Sequence, residues 1–138
     1  MNLVMSIAKK YFDLMLEGKK KYEFRRKFVN TPCNAFIYVP YPVCEIQGYI
    51  EFDNPIVDTP KRINKIALSQ CIIEDSDILE YMSGIEQGYA IPIKTVKRLR
   101  KPIPLNYLHN NYAFTAPQNY ILADKKSELL SYLFNNLL

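Results

Sequence analysis

The hydrophobic period changes across a single glycine near the N-terminus, and that change limits the folds open to this chain. Before Gly18, the residues Ala8, Tyr11, Phe12, Met15 and Leu16 recur at i, i+3, i+4, i+7 and i+8, the spacing of one helix face. After it, in Lys21 to Phe28, the period is two: Tyr22, Phe24 and Phe28 share one face, and Lys21, Glu23, Arg25 and Lys27 share the other. A left-handed backbone at Gly18 closes the helix with no Cβ clash. A short buried strand, Leu3 to Ile7, precedes the helix, so strand and helix must share a core from the first residues.

Proline and glycine then cut the chain into short elements. Strands are expected at Ala35–Val39 and Cys44–Phe52, separated by the Pro40-Tyr41-Pro42 turn, with Gly48 marking a bulge or a tight bend. In the second of them Cys44, Ile46, Ile50 and Phe52 alternate with Glu45, Gln47, Tyr49 and Glu51. Thr59-Pro60 is a good N-cap and first turn for a helix to about Gln70, and a short helix from Asp77 to Met82 stops at Gly84. Strand character returns at Gly88–Lys94, where Pro92 implies an edge or a bulge. A basic run from Lys94 to Lys101 is then ended by Pro102 and Pro104. One helical turn at Leu105–Leu108, a strand at Asn119–Ala123 and an amphipathic helix at Lys125–Leu137 complete the chain. About six short strands with irregularly inserted helices and a C-terminal helix predict one α+β domain over residues 1–138, arranged as a small, strongly bent mixed β-barrel.

Composition bounds the function. Hydrophobic residues make up 49% of 138, with 23% charged, which is globular rather than disordered. No apolar run approaches the ~20 residues that span a bilayer, and no secretory leader is expected. The three cysteines, Cys33, Cys44 and Cys71, form no C-x-x-C pair, which favours a reducing, cytoplasmic setting without metal or cofactor. The net charge of +4 is unevenly spread: +5 over residues 1–29, −6 over 30–93 and +5 over 94–138. Two basic ends brought together would form a positive face beside an acidic back, suited to a polyanion.

The segment from Gly18 to Arg25 fits G-x-K-x-x-E-x-R, entering a strand directly after an amphipathic helix. It resembles the signature of the ASCH family, whose fold is similar to the PUA domain. The strand-helix-strand opening, the Gly48-Tyr49-Ile50-Glu51 strand and the Pro117-Gln118-Asn119-Tyr120 stretch extend the resemblance over most of residues 3 to 123. It implies a PUA-like barrel whose cleft is lined by Gly18, Lys20, Glu23 and Arg25, and a role in binding RNA or a modified nucleotide, with a regulatory function among those open to it. Independently of the resemblance, Glu23 and Arg25 lie two apart on a strand and project from one face, where they can pair with each other or with a ligand. Lys20 and Arg25 can meet phosphate; the alternative is an ion-pair lattice that pins helix to strand.

Some relatives are amidohydrolases on acylated cytidine, which implies a second function: hydrolysis of an N-acylated pyrimidine such as N4-acetylcytidine, with Lys20 and Glu23 as catalytic residues. Their threonine three positions after the lysine is here Glu23, leaving Thr31, Thr115 and a remote Glu74 as weak substitutes. Lys94, Lys97, Arg98, Arg100 and Lys101 are candidates for a phosphate track. Gln118 and Asn119 can read a base edge, and Tyr38, Tyr41, Tyr49, Tyr112 or Tyr120 can stack on an unpaired base. His109 stands alone and has no metal pattern around it.

Overall fold

The structure is a computed structural model that describes residues 1–137. The opening reads as expected: β1 (Asn2–Ser6), α1 (Lys9–Leu16) and β2 (Tyr22–Arg25), with Gly18 at φ +76° in the turn between helix and strand. Then follow β3 (Cys33–Val39), β4 (Glu45–Phe52), a short β5 (Ile56–Asp58) and α2 (Pro60–Ser69). The side chain of Thr59 caps α2 by accepting from the Arg62 amide at 3.4 Å. A 3-10 turn at Ile73–Asp75 leads into α3 (Ile78–Tyr81). The remaining elements are β6 (Gly88–Pro104), α4 (Leu105–Tyr112), β7 (Tyr120–Leu122) and α5 (Ser127–Asn135).

All seven strands join one curled, barrel-like sheet in the order β2-β6-β4-β3-β1-β7, with β5 also paired to β6. Among the described residues, only β1 and β3 run parallel; the other pairings are antiparallel. The α+β barrel read from the sequence is therefore present, with β5 as an added seventh strand. The 17-residue β6 makes the curl: its first half pairs with β2 and β5, and from Ile93 onward it pairs with β4. Pro102 does not stop it, and the strand ends at Pro104. The register slips on either side of the basic stretch, between Glu51/Phe52 and between Ile46/Gly48 on β4, and such bulged positions tolerate residues that lack a ladder donor.

Central strands buried on both faces explain the continuous apolar runs. Leu3, Met5, Ala35, Ile37, Ile50 and Phe52 face α1, packing on Phe12 and Met15. Val4, Phe36, Tyr38, Ile46 and Tyr49 face the opposite way, against Leu108 of α4 and Leu129 and Leu133 of α5. A third core joins Phe24 and Ala90 to Ile63, Ala67, Ile78 and Met82 of α2, α3 and their flank.

Two expectations about strand faces are corrected. Ile46 does not share a side with Ile50 and Phe52, because a register shift leaves Gln47 unpaired and reverses the alternation; Tyr49 therefore packs with Ile46. Phe28 does not continue the Phe24 face either. β2 ends at Arg25, and after the bend Phe28 packs edge-on against Phe52 and Tyr120 in the first core.

Gly48, next to the bulge, permits the helix contact. A Cβ there would lie 2.1 Å from Phe12 Cζ and 2.9 Å from the Lys97 carbonyl oxygen. Gly48→Ala should therefore cost about 2 to 3 kcal/mol, the overpacking range, in urea unfolding. Gly18→Ala meets nothing within 4 Å and carries only the left-handed backbone penalty, about 1 kcal/mol. Equal losses in the two variants would contradict this packing.

Candidate functional site

β2 forms one wall of a cleft of about 260 Å³. The end of β1 and the start of α1 contribute Ser6, Ala8 and Tyr11; the opposite side is the segment from Asp75 to Tyr81. Lys20, Glu23, Phe24 and Arg25 line it from the β2 side, so three of the four motif positions border one concavity. Gly18 does not; it is exposed, and its role is the turn that delivers Lys20 and β2.

The chemistry of the lining departs from expectation. Lys20 is sealed: its side chain is 1% exposed, and Nζ donates to Asp75 Oδ2 at 2.7 Å. The ammonium also lies 4.7 Å from the Phe24 ring centroid and 5.2 Å from that of Tyr11. Glu23 and Arg25 pair with each other. Arg25 Nη2 and Nε both donate to Glu23 Oε2, at 2.8 and 3.2 Å. Nη2 also reaches the Ser6 carbonyl at 2.9 Å, and Nη1 donates to Asn119 Oδ1. The Phe24 amide donates to Glu23 Oε1 at 3.2 Å. The cleft thus holds two cations and three carboxylates, counting Asp77, and its interior is not cationic.

Burial raises the Asp75 carboxyl above its usual range; the Lys20 hydrogen bond and charge oppose this, while Glu23 and Asp77 add to it. Tyr11, whose hydroxyl donates to the Glu74 carbonyl at 3.2 Å, is raised first by burial and then by Asp75, Asp77, Glu23 and Glu74.

The other sequence candidates fall elsewhere. Lys94, Lys97, Arg98 and Arg100 are exposed on the second half of β6, with no ion-pair partner among the described residues, and none lines the cleft. They adjoin it through the backbone, since the Ile93 amide donates to the Lys21 carbonyl at 2.9 Å. Gln118 is exposed and outside the cleft, and Tyr120 packs on Phe28 in the first core; their neighbour Asn119 is the residue that reaches Arg25. Tyr38 and Tyr49 are core, Tyr41 projects from a turn, and Tyr112 stacks on Tyr132. The cleft's rings are Tyr11, Phe24 and Tyr81. Thr31, Thr115 and Glu74 do not line it, so the hydrolytic constellation is not assembled around Lys20. His109 Nδ1 lies 3.2 Å from the Phe114 carbonyl oxygen at the end of α4. Among the described residues, no group of three or more His, Cys, Asp or Glu side chains could hold a metal ion, and no helix is long and apolar enough to cross a membrane.

Sequence reasoning missed Asp75, Asp77, Ser6 and the cleft-facing ring of Tyr11. Asp75 lies next to Glu74, and nothing local distinguishes the two; only the fold brings Asp75 across 55 residues to Lys20.

The fold matches known structures. The ASCH structure from Zymomonas mobilis superposes with a TM-score of 0.79 at 21% identity, covering 96% of this chain and 94% of that one. A single-substitution variant of it gives 0.79 at 22%, covering 96% and 95%. The N-terminal domain of Staphylothermus marinus McrB gives 0.56 at 9%, covering 95% and 93%. No protein-family model and no curated protein matches the chain. The fold is that of the ASCH structures, as the Gly18–Arg25 resemblance implied.

Lys20→Met strands Asp75 as a buried, unpaired carboxylate and should cost about 3 to 5 kcal/mol at neutral pH. With Lys20 gone, the folded-state value of Asp75 rises further. A carboxyl that holds its proton more tightly when folded penalises the fold as pH rises from the unfolded to the folded value, so the deficit against wild type should shrink on acidification. Lys20→Met combined with Asp75→Leu should recover most of the loss. A deficit independent of pH in urea titrations would contradict the pairing.

Proposed function

We propose that residues 1–138 act as one ASCH/PUA-like unit that binds RNA, or a modified nucleotide, by admitting a single unpaired nucleobase to the cleft beside β2. The observation that carries this reading is the Glu23–Arg25 pair on the cleft wall. Arg25 is held by the Ser6 carbonyl and Asn119, and Glu23 by Arg25 and the Phe24 amide, so neither has to be ordered when a ligand arrives. By inventory, one acceptor position remains on Glu23 Oε1 and one hydrogen on Arg25 Nη1. An exocyclic amine beside a ring nitrogen, as on cytosine or adenine, complements that donor-acceptor pair. Tyr11 and Tyr81 supply rings for stacking.

Phosphates bind outside. The cleft's cations are matched by carboxylates, whereas Lys94, Lys97, Arg98 and Arg100 are exposed along β6, starting beside the strand that carries the motif. Such a track neutralises backbone charge without reading sequence. The cytoplasm, where RNA is available, is the compartment this reading requires.

Fluorescence anisotropy on a pool of short single-stranded RNAs across a salt series tests both parts. Glu23→Gln should weaken binding by about 10-fold or more, the cost of one lost base-edge contact, and flatten base preference at an unchanged salt slope. Lys97→Gln with Arg98→Gln should lower the slope by about 0.7 for each phosphate contact removed and leave base preference alone. Absence of binding at low salt, or full affinity and preference in Glu23→Gln, would refute the reading.

A further inference from the structure

The charge balance of the cleft narrows its ligand. Lys20 is cancelled by Asp75 and Arg25 by Glu23, which leaves Asp77 with no side-chain hydrogen bond or ion pair among the described residues. Asp75 engages Lys20 and Gln70 through Oδ2. The rings of Tyr11, Phe24 and Tyr81 complete the lining, and the face of an aromatic ring attracts positive charge. The protein's own ammonium shows the preference: Lys20 Nζ lies against both Tyr11 and Phe24 while it pairs with Asp75. Burial first, and the surrounding carboxylates after it, hold the Tyr11 hydroxyl above its usual range.

We infer that the cleft selects a nucleobase bearing a positive charge, of the kind created when a ring nitrogen is methylated, over its neutral parent. The inference rests on the base-binding reading above and specifies the class of base. A cationic ring stacked on Tyr81, whose face carries no ammonium of the protein among the described contacts, gains from its quadrupole and from Asp77, and its remaining amine still donates to Glu23. A free phosphate gains from none of these and is repelled by the same carboxylates.

The test compares 7-methylguanosine with guanosine and 1-methyladenosine with adenosine, at slightly acidic pH where both methylated bases are cations. Each is titrated as a nucleoside, as a 5′-monophosphate and as the central residue of a short RNA, with calorimetry and amide chemical shifts as readouts. The methylated member of each pair should bind about 10-fold tighter, as a cation-π contact plus a carboxylate supplies. Free monophosphates should bind no better than nucleosides. Preference in both the nucleoside and RNA arms places recognition in the base itself, and preference in RNA alone assigns the ligand to a modified RNA. Asp77→Asn, at an exposed position, should lower affinity for the methylated members several-fold more than for the neutral ones. Equal affinity for methylated and neutral members overturns this inference and leaves base binding standing. Loss of all binding, including the unmodified RNA pool, would instead remove the reading on which it rests.

Discussion

The buried pair between Lys20 and Asp75 is the contact on which the site depends. At 2.7 Å, with both side chains almost fully enclosed, it ties the entry of β2 to the turn before α3. A charge in that position without a partner would cost more than most single contacts contribute, so the two segments can approach only as a pair. Their approach makes the cleft: β2 supplies one wall, the turn and α3 the other, and Tyr11 closes the floor from α1. The aromatic faces around the ammonium lower its desolvation cost and remain part of the lining.

The same pair changes what the charge distribution means. An acidic middle segment between two basic ends suggested an acidic back behind a positive face. Instead the middle segment folds against the first basic segment, and Asp75 and Asp77 enter the same concavity as Lys20 and Arg25. Positive charge without an ion-pair partner among the described residues lies along β6, where the strand runs past the cleft rather than into it. The cleft, with two cations and three carboxylates, thus lies beside a strand that carries exposed basic side chains.

How far the sequence could be read follows from the range of each signal. Local patterns were dependable: the α1 stripe, the Gly18 turn, the Thr59 cap and the alternation that puts Glu23 and Arg25 on one face all appear in place. Patterns that depend on pairing were not. A bulge at Gln47 moved Ile46 away from the Ile50 face, and β6 ran through Pro102 because its donors were not needed at an irregular stretch. Gln118 and Tyr120 were reasonable candidates, yet Asn119 between them holds Arg25, and neither its spacing nor its type separated it from its neighbours.

Sequence alone determined the opening strand-helix-strand, the turn that launches β2 and which side chains share its charged face, because each follows from periodicity and backbone sterics within a few residues. Tertiary structure decided what those side chains face. Whether Lys20 meets a phosphate or Asp75 depends on a contact across 55 residues, and an ionic partner at that separation leaves no trace in local pattern. Electrostatic character belongs to a site only once the chain has closed around it, since a charge is cancelled by whichever group folding brings within a few ångströms.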